Sequence, residues 1–253
     1  MAPPSVTAIL IVHGGYFLPS SWDDFITHLT QKGFTVECPH LPSCGDTQPP
    51  TATLADDVSA VRAAAQKLRA AGHTIAVLAH SYGGVVASEA ITPELYASED
   101  PTGKGIACLV LLSAWLVQSG DSLPGVIEKY GFQCKVDLGN HGDGTVFAKN
   151  APESFYNDIE RARGEELARA NVTHNWAAAA GGVTAAPWMD LPTVYVHSTR
   201  DLAIMLPLQE SMVLDAVNAG GRVRTETLEA GHCAFLSRPD ELVGVLQRAI
   251  DGL

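Results

Sequence analysis

Ser81 has the setting that points most clearly to chemistry. It stands in Ala79-His80-Ser81-Tyr82-Gly83-Gly84, after the apolar run Thr74 to Leu78 and before the helix-forming run Val85 to Ile91. A strand that turns sharply into a helix lifts the residue at the turn out of the sheet. Small residues two before and two after it let the backbones approach, so the turn presents a serine as a nucleophile. Ala79 fills the first small position, where glycine is more usual. A serine hydroxyl also needs a base to take its proton. Of nine histidines, His232 is the candidate, because it follows a strand and the turn Glu229-Ala230-Gly231 and precedes the last helix. The base in turn needs an acid that fixes its tautomer and stabilises the imidazolium. Asp201 follows the run Thr193 to His197 through Ser198-Thr199-Arg200, which puts it at the edge of a parallel sheet where ligands bind. Asp121 is the fallback acid; Asp190 precedes its strand and faces the wrong edge. His13-Gly14-Gly15 completes the set, with the backbone N–H groups of Gly15 and Tyr82 as the expected oxyanion donors. The chemistry of such a set is acyl transfer through an acyl-enzyme.

These residues need a frame that brings them to one edge. Thr7 to Val12, Phe34 to Cys38, Thr74 to Leu78, Ile106 to Leu112, Thr193 to His197 and Val223 to Leu228 read as strands. Helical patterns separate them: one after Ser20 or Ser21 and closed by Gly33, Leu54 to Ala71, one begun just after Ser81, Leu206 to Ala219, and Pro239 to Ile250. Strands apolar along their whole length that alternate with helices predict a parallel sheet covered on both faces. Between Trp115 and Asp190 the alternation stops. That segment has Gly-rich turns, an amphipathic helix expected near Pro152 to Ala170, and no strand that continues the series. The expected organisation is a core of residues 1–114 and 191–253 with an inserted, mainly helical cap of residues 115–190. No internal repeat is present.

Composition narrows the partners. Apolar residues make up 46% and charged residues 17% of the 253, which fits a folded globular chain and not a disordered one. Sixteen basic against 28 acidic residues give a net charge of −12, without a basic cluster that could release counterions from nucleic acid or bind an anionic membrane. No run approaches the roughly 20 apolar residues of a membrane span. Cys38, Cys44, Cys108, Cys134 and Cys233 include no C-x-x-C pair, which suits reduced thiols. Met1-Ala-Pro-Pro-Ser lacks a basic stretch followed by an apolar one, so no secretory signal is expected and a cytoplasmic location is. No His/Asp/Glu spacing suggests a metal, and the glycines follow no dinucleotide fingerprint, so no cofactor is expected.

The Ser, Asp, His order and the segments His13-Gly14, His80-Ser81-Tyr82-Gly83-Gly84, Ala186-Pro187-Trp188 and Gly231-His232 resemble the α/β-hydrolase superfamily over essentially the full length. The resemblance is to its small-esterase branch, which includes salicylate-esterase-like and hydroxynitrile-lyase-like proteins. It implies an α/β-hydrolase fold with a minimal six-stranded sheet, lacking the first two strands of the larger fold. It also implies a serine hydrolase acting on a small ester or lactone, as monomer or homodimer. The lyases of that branch use a threonine beside the oxyanion hole and a lysine after the catalytic histidine. Gly15 and Cys233 stand at those positions, and neither supplies a hydroxyl donor or a cation, which favours hydrolysis. Lyase, isomerase or cyclisation chemistry at the same site, and a non-catalytic small-molecule receptor, remain the alternatives. Trp115, Phe155, Trp176 and Trp188 are candidates for an apolar pocket, with Cys233 as a small wall residue; Leu116, Phe147 and Tyr156 are further aromatic or apolar candidates. His141 and His174 are polar candidates for orienting a substrate.

Overall fold

β-Branched apolar runs become strands, and alternate residues of each go to opposite faces. A computed structural model describes residues 6–131 and 135–253; Cys134 lies outside them. In chain order the strands are β1 (Ala8–Val12), β2 (Thr35–Glu37), β3 (Thr74–His80), β4 (Gly105–Leu112), β5 (Leu138–Asn140), β6 (Thr145–Ala148), β7 (His174–Asn175), β8 (Thr193–Ser198) and β9 (Val223–Leu228). Six of them form one sheet in the order β2-β1-β3-β4-β8-β9, and every neighbouring pair is parallel. This is the parallel sheet the alternation predicts.

Period two decides the two cores. Ala8, Leu10 and Val12 join one buried cluster with Ile75 and Val77, while Ile9 and Ile11 join the other with Ala76 and Leu78. The first cluster is closed by the Leu54–Ala70, Gly83–Ala90 and Leu206–Asn218 helices; the second is closed by the Asp23–Gln31 and Pro239–Asp251 helices. On the Leu54–Ala70 helix, Leu54, Val58, Val61, Ala65 and Leu68 are all buried, each contributing roughly 1.5–3 kcal/mol where the side chain is large. The Asp56 carboxylate accepts the Thr53 N–H at 2.8 Å and so closes the start of that helix. Ser20 and Ser21 do not cap the first helix. They lie in a 3₁₀ turn, Pro19–Trp22, which leads into it without a side-chain cap.

Chain direction reverses its sideways progress at β1, which has β2 on one side and β3 on the other. The loops leaving β1 and β3 therefore diverge at the C-terminal edge and leave a crevice, the usual place for a ligand in an open parallel sheet. The ends of β1, β3, β8 and β9 reach that edge together, with Val12 opposite Ala79 and Ser198 opposite Leu228.

Between β4 and β8 the chain leaves the main sheet. Helical pieces predominate there, and β5, β6 and β7 form a separate antiparallel sheet that the sequence pattern does not announce. The single helix expected near Pro152 to Ala170 is two pieces, Ala151–Ser154 and Arg161–Arg169. The break frees Phe155 and Tyr156 to bury their rings, while Asn157 donates to the Arg200 carbonyl at 2.9 Å and Asp158 accepts the Gly231 N–H at 2.7 Å. No helix among the described residues is long and apolar enough to cross a membrane.

Candidate active site

At the end of β3 the backbone turns with Ser81 at φ 53°, a left-handed conformation that a serine rarely adopts. Close packing enforces it. A side chain on Gly83 would run into the Val12 carbonyl, so only glycine lets β1 pass this close to the turn. Ser81 is locked on both sides, its N–H donating to the Leu112 carbonyl and its carbonyl accepting from Trp115 N–H at 3.1 Å. Strain held by surrounding structure in this way is common where a side chain must be presented.

The loops after β8 and β9 bring Asp201 and His232 together. His232 Nδ1–H donates to Asp201 Oδ2 at 2.8 Å, and both side chains are buried. The other carboxylate oxygen accepts the N–H groups of Ala203 at 2.7 Å and Ile204 at 2.9 Å, so Asp201 is saturated and cannot swing away. With Nδ1 carrying the proton, Nε2 of a neutral His232 holds the lone pair a base needs. Asp121 lies elsewhere, accepting the Gln118 N–H at 3.1 Å.

His80 ties the two halves. Its Nε2–H donates to the His232 carbonyl at 3.0 Å, and the two rings lie 4.6 Å apart. Burial among aromatic rings holds the His80 pKa well below the ordinary histidine range, with the nearby His232 adding to the effect, so it stays neutral. Ser81 makes no hydrogen bond to the His232 ring among the described residues; such contacts commonly tighten only when substrate is bound.

His13 shapes the loop after β1. Its Nδ1–H donates to the Gly14 carbonyl at 2.9 Å and its Nε2 accepts the Leu41 N–H at 3.2 Å, a pattern that only the neutral ring can make. Burial, above all, lowers its pKa to about 4. Beneath Tyr82 sits a buried carboxylate: Asp57 accepts from Tyr82 Oη at 2.8 Å, Ser43 Oγ at 2.6 Å and Ser43 N–H at 2.9 Å. Desolvation raises the Asp57 pKa against the opposing pull of those three donors. Nothing in the sequence pattern marks Asp57, which falls on the helix face expected to be core.

Ser81, Gly15, Tyr82, Trp115, Phe155 and Trp176 line one cavity, together with His174. Its empty volume is about 660 Å³, part of it open to solvent. The rest of the wall is Tyr16, Leu123, Ile127, Val136, Leu138, Ala179, Ala203 and Ile204, none of which sequence reasoning singled out. Only Tyr16 carried a signal, as the residue next to His13-Gly14-Gly15.

Trp188, His141, Cys233, Leu116, Phe147 and Tyr156, all expected in the pocket, are not on this wall. Trp188 is buried under the sheet, stacked where a side chain on Gly221 would sit, and donates its indole N–H to the Val117 carbonyl at 2.9 Å. His141 is exposed at the tip of the small sheet, its ring stacked 4.5 Å from Phe147. Cys233 is fully buried in the second core beside Tyr156, and desolvation, reinforced by Asp201 and Asp158, pushes its thiol pKa well up. Leu116 is core as well, and Tyr156 is buried with its hydroxyl on Asn171 at 2.8 Å. Among the described residues no group of three or more His, Cys, Asp or Glu could hold a metal ion, and Cys38, Cys44, Cys108 and Cys233 are free.

Known proteins share this arrangement of chain. The probable hydrolase R7 of Phoma sp. is 28% identical over 245 residues, covering 94% of this chain and 96% of that protein. The alpha/beta hydrolase nvfD of Aspergillus novofumigatus is 27% identical over 244 residues, covering 96% of each. Among solved structures, the methylesterase protein MES16 from Arabidopsis superposes with a TM-score of 0.73 at 20% identity, covering 98% of this chain and 100% of that one. At that identity the likeness is one of fold. The pattern of the alpha/beta hydrolase family matches residues 9–245, and the chain belongs to that family.

Proposed function

We propose that this protein is a serine hydrolase that cleaves a carboxylic ester or lactone of a small, mainly apolar or aromatic metabolite through an acyl-enzyme. One observation carries the reading: a buried, hydrogen-bonded Asp201–His232 pair at the same sheet edge as Ser81, which turns out of the strand into an apolar cavity. In this mechanism His232 Nε2 takes the Ser81 proton as Oγ attacks the carbonyl. The backbone N–H groups of Gly15 and Tyr82 hold the tetrahedral oxyanion, each donor being worth roughly 10²–10³ in turnover. His232 then protonates the leaving alcohol, and water repeats the sequence on the acyl-enzyme. Asp201 keeps the imidazole in the productive tautomer and stabilises its cation.

Residues 115–190 act in this reading as a cap over the core of 1–114 and 191–253, supplying Trp115, Phe155, His174 and Trp176 to the wall. The hydrolase and esterase names of the related proteins support the class of reaction. The lyase alternative would need a cation to hold a leaving anion, and no Lys or Arg lies among the described residues of the cavity wall. A serine-directed fluorophosphonate followed by peptide mass spectrometry tests the proposal. The expected adduct is on Ser81, and an unlabelled Ser81 in a folded, reactive preparation overturns it.

A further inference from the structure

His174 is the only imidazole among the described residues of the cavity wall, and its position is fixed with unusual firmness. β7 carries it against β6, and a bridge pairs it with Cys44 on the other side. Gly45 N–H donates to the Thr173 carbonyl and Asn175 N–H to the Ser43 carbonyl, both at 2.9 Å, so the backbone is held immediately before and after the ring. The ring packs edge-on against Tyr82, 4.5 Å between centroids, and against Tyr16 at 5.6 Å. Its Nδ1 lies 2.7 Å from the place a side chain on Gly15 would occupy. The imidazole thus covers both residues assigned as oxyanion donors, and Gly15 must be glycine to admit it.

Such a ring should have hydrogen-bond partners, and it lacks them. Among the described residues neither ring nitrogen has a hydrogen-bond partner: Nε2 is sealed off, while Nδ1, on the Gly15 side, is the one left toward the cavity, whose other lining is apolar side chains, the tyrosines and Ser81. A polar atom without a partner on the wall of a rigid binding cavity calls for an explanation, and for Nδ1 a ligand group is the simplest.

We propose that His174 is a specificity-determining residue whose imidazole hydrogen-bonds a second substrate oxygen, a ketone or hydroxyl on the acyl chain close to the scissile carbonyl. Its nearness to the reacting carbonyl rests on the hydrolase reading above; its binding of the oxygen does not. Burial lowers the His174 pKa to about 3, so the ring is neutral and Nδ1 serves as donor or acceptor according to its tautomer. A neutral ring suits a neutral oxygen and gives no special hold on a carboxylate. The apolar remainder of the wall suits hydrocarbon on either side of that oxygen.

Binding to Ser81→Ala protein separates this from catalysis. The ligands are 1-phenylbutane-1,3-dione and 1-phenylbutan-1-one, matched apart from one ketone oxygen, measured by titration calorimetry. The dione should bind about 10-fold tighter, as expected for one ligand oxygen that meets a buried partner. His174→Phe and His174→Leu in the same background should bind the two equally, and His174→Gln, which keeps a donor, should retain part of the preference. Equal binding by Ser81→Ala, binding of neither ligand, or a preference undiminished in whichever of the Phe and Leu variants folds overturns the proposal. A His174-dependent preference in a protein whose unmodified form turns over no ester would sink the hydrolase reading and leave this one standing.

Discussion

The loops after β8 and β9 and the segment between β4 and β8 are built on opposite principles. On the first side both carboxylate oxygens of Asp201 are spoken for, His232 is fixed through its ring and its backbone, and Asp158 and His80 brace the loop from outside. On the second side the wall is Leu, Ile, Val and aromatic side chains with a single underemployed imidazole. Hydrogen bonds have direction and fix atoms; apolar contact has little and fixes only shape. The contrast teaches where reaction type and substrate choice reside. On the proposed function, the first lies in loops tied to the parallel sheet, and the second in what the inserted segment lays against them.

The comparison breaks most dramatically at Ser81. Ser81→Ala should lower ester turnover by about 10⁴–10⁶ while leaving the circular dichroism spectrum and melting temperature close to those of the parent. Asp201→Asn comes next, at about 10⁴ in kcat, because an amide can donate to the ring and stabilises the wrong tautomer; steady-state kinetics with a p-nitrophenyl ester reads it. His80 sharpens the point, since it touches His232, the proposed base, without lining the cavity. His80→Leu should cost roughly 10–100-fold in kcat with KM little changed, and His80→Gln should recover part of the loss by restoring a donor to the His232 carbonyl.

Acid stability gives a smaller and independent measure. His13 and His174 have folded pKa values of about 4 and 3, below the roughly 6.5 of a free histidine. Unfolding in acid therefore takes up protons at both, so the stability their neutral forms contribute is full above about pH 6.5 and is lost as pH falls toward 4 and 3. Denaturant titrations from pH 7 to 4 should show His174→Phe losing less stability than the parent, by up to about 1.4 kcal/mol per pH unit below 6. Equal slopes would mean the ring is already charged or hydrated in the fold. The smallest effect belongs to Trp176, which is 39% exposed at the rim of the cavity. Trp176→Ala should raise KM for an aromatic ester two- to fivefold and leave kcat alone, a shift on the scale of a partly buried contact.

The same division governs what the sequence reveals. Ser81, His232, Asp201 and the His13-Gly14-Gly15 loop each sit beside a strand long enough to have a period, so turn residues and order alone mark the edge they share. β5, β6 and β7 have three, four and two residues, too short for any periodic window, and their pairing is set by contacts distant in sequence. Trp188 and Trp176 show the limit for side chains. Both are large aromatic residues in or near the inserted segment, yet one fills the space over Gly221 in the core and the other stands at the cavity rim. Residue type alone does not say which indole is covered and which is left at the surface. Asp57 is the converse case, a carboxylate on an apolar face whose partners Ser43 and Tyr82 come from two other segments.

The interrupted stretch 155–160 has a consequence for how such an enzyme can be altered. Phe155 forms part of the cavity wall, and three residues later Asp158 grips the N–H just before His232. A change that resculpts this wall therefore also tugs on the His232 loop, and on the proposed mechanism selectivity gained there should arrive with a turnover penalty. Leu123 and Ile127, on a helix of their own across the cleft, carry no such tether. Directed evolution toward new esters should accumulate its first productive substitutions on that helix and leave 155–160 nearly untouched.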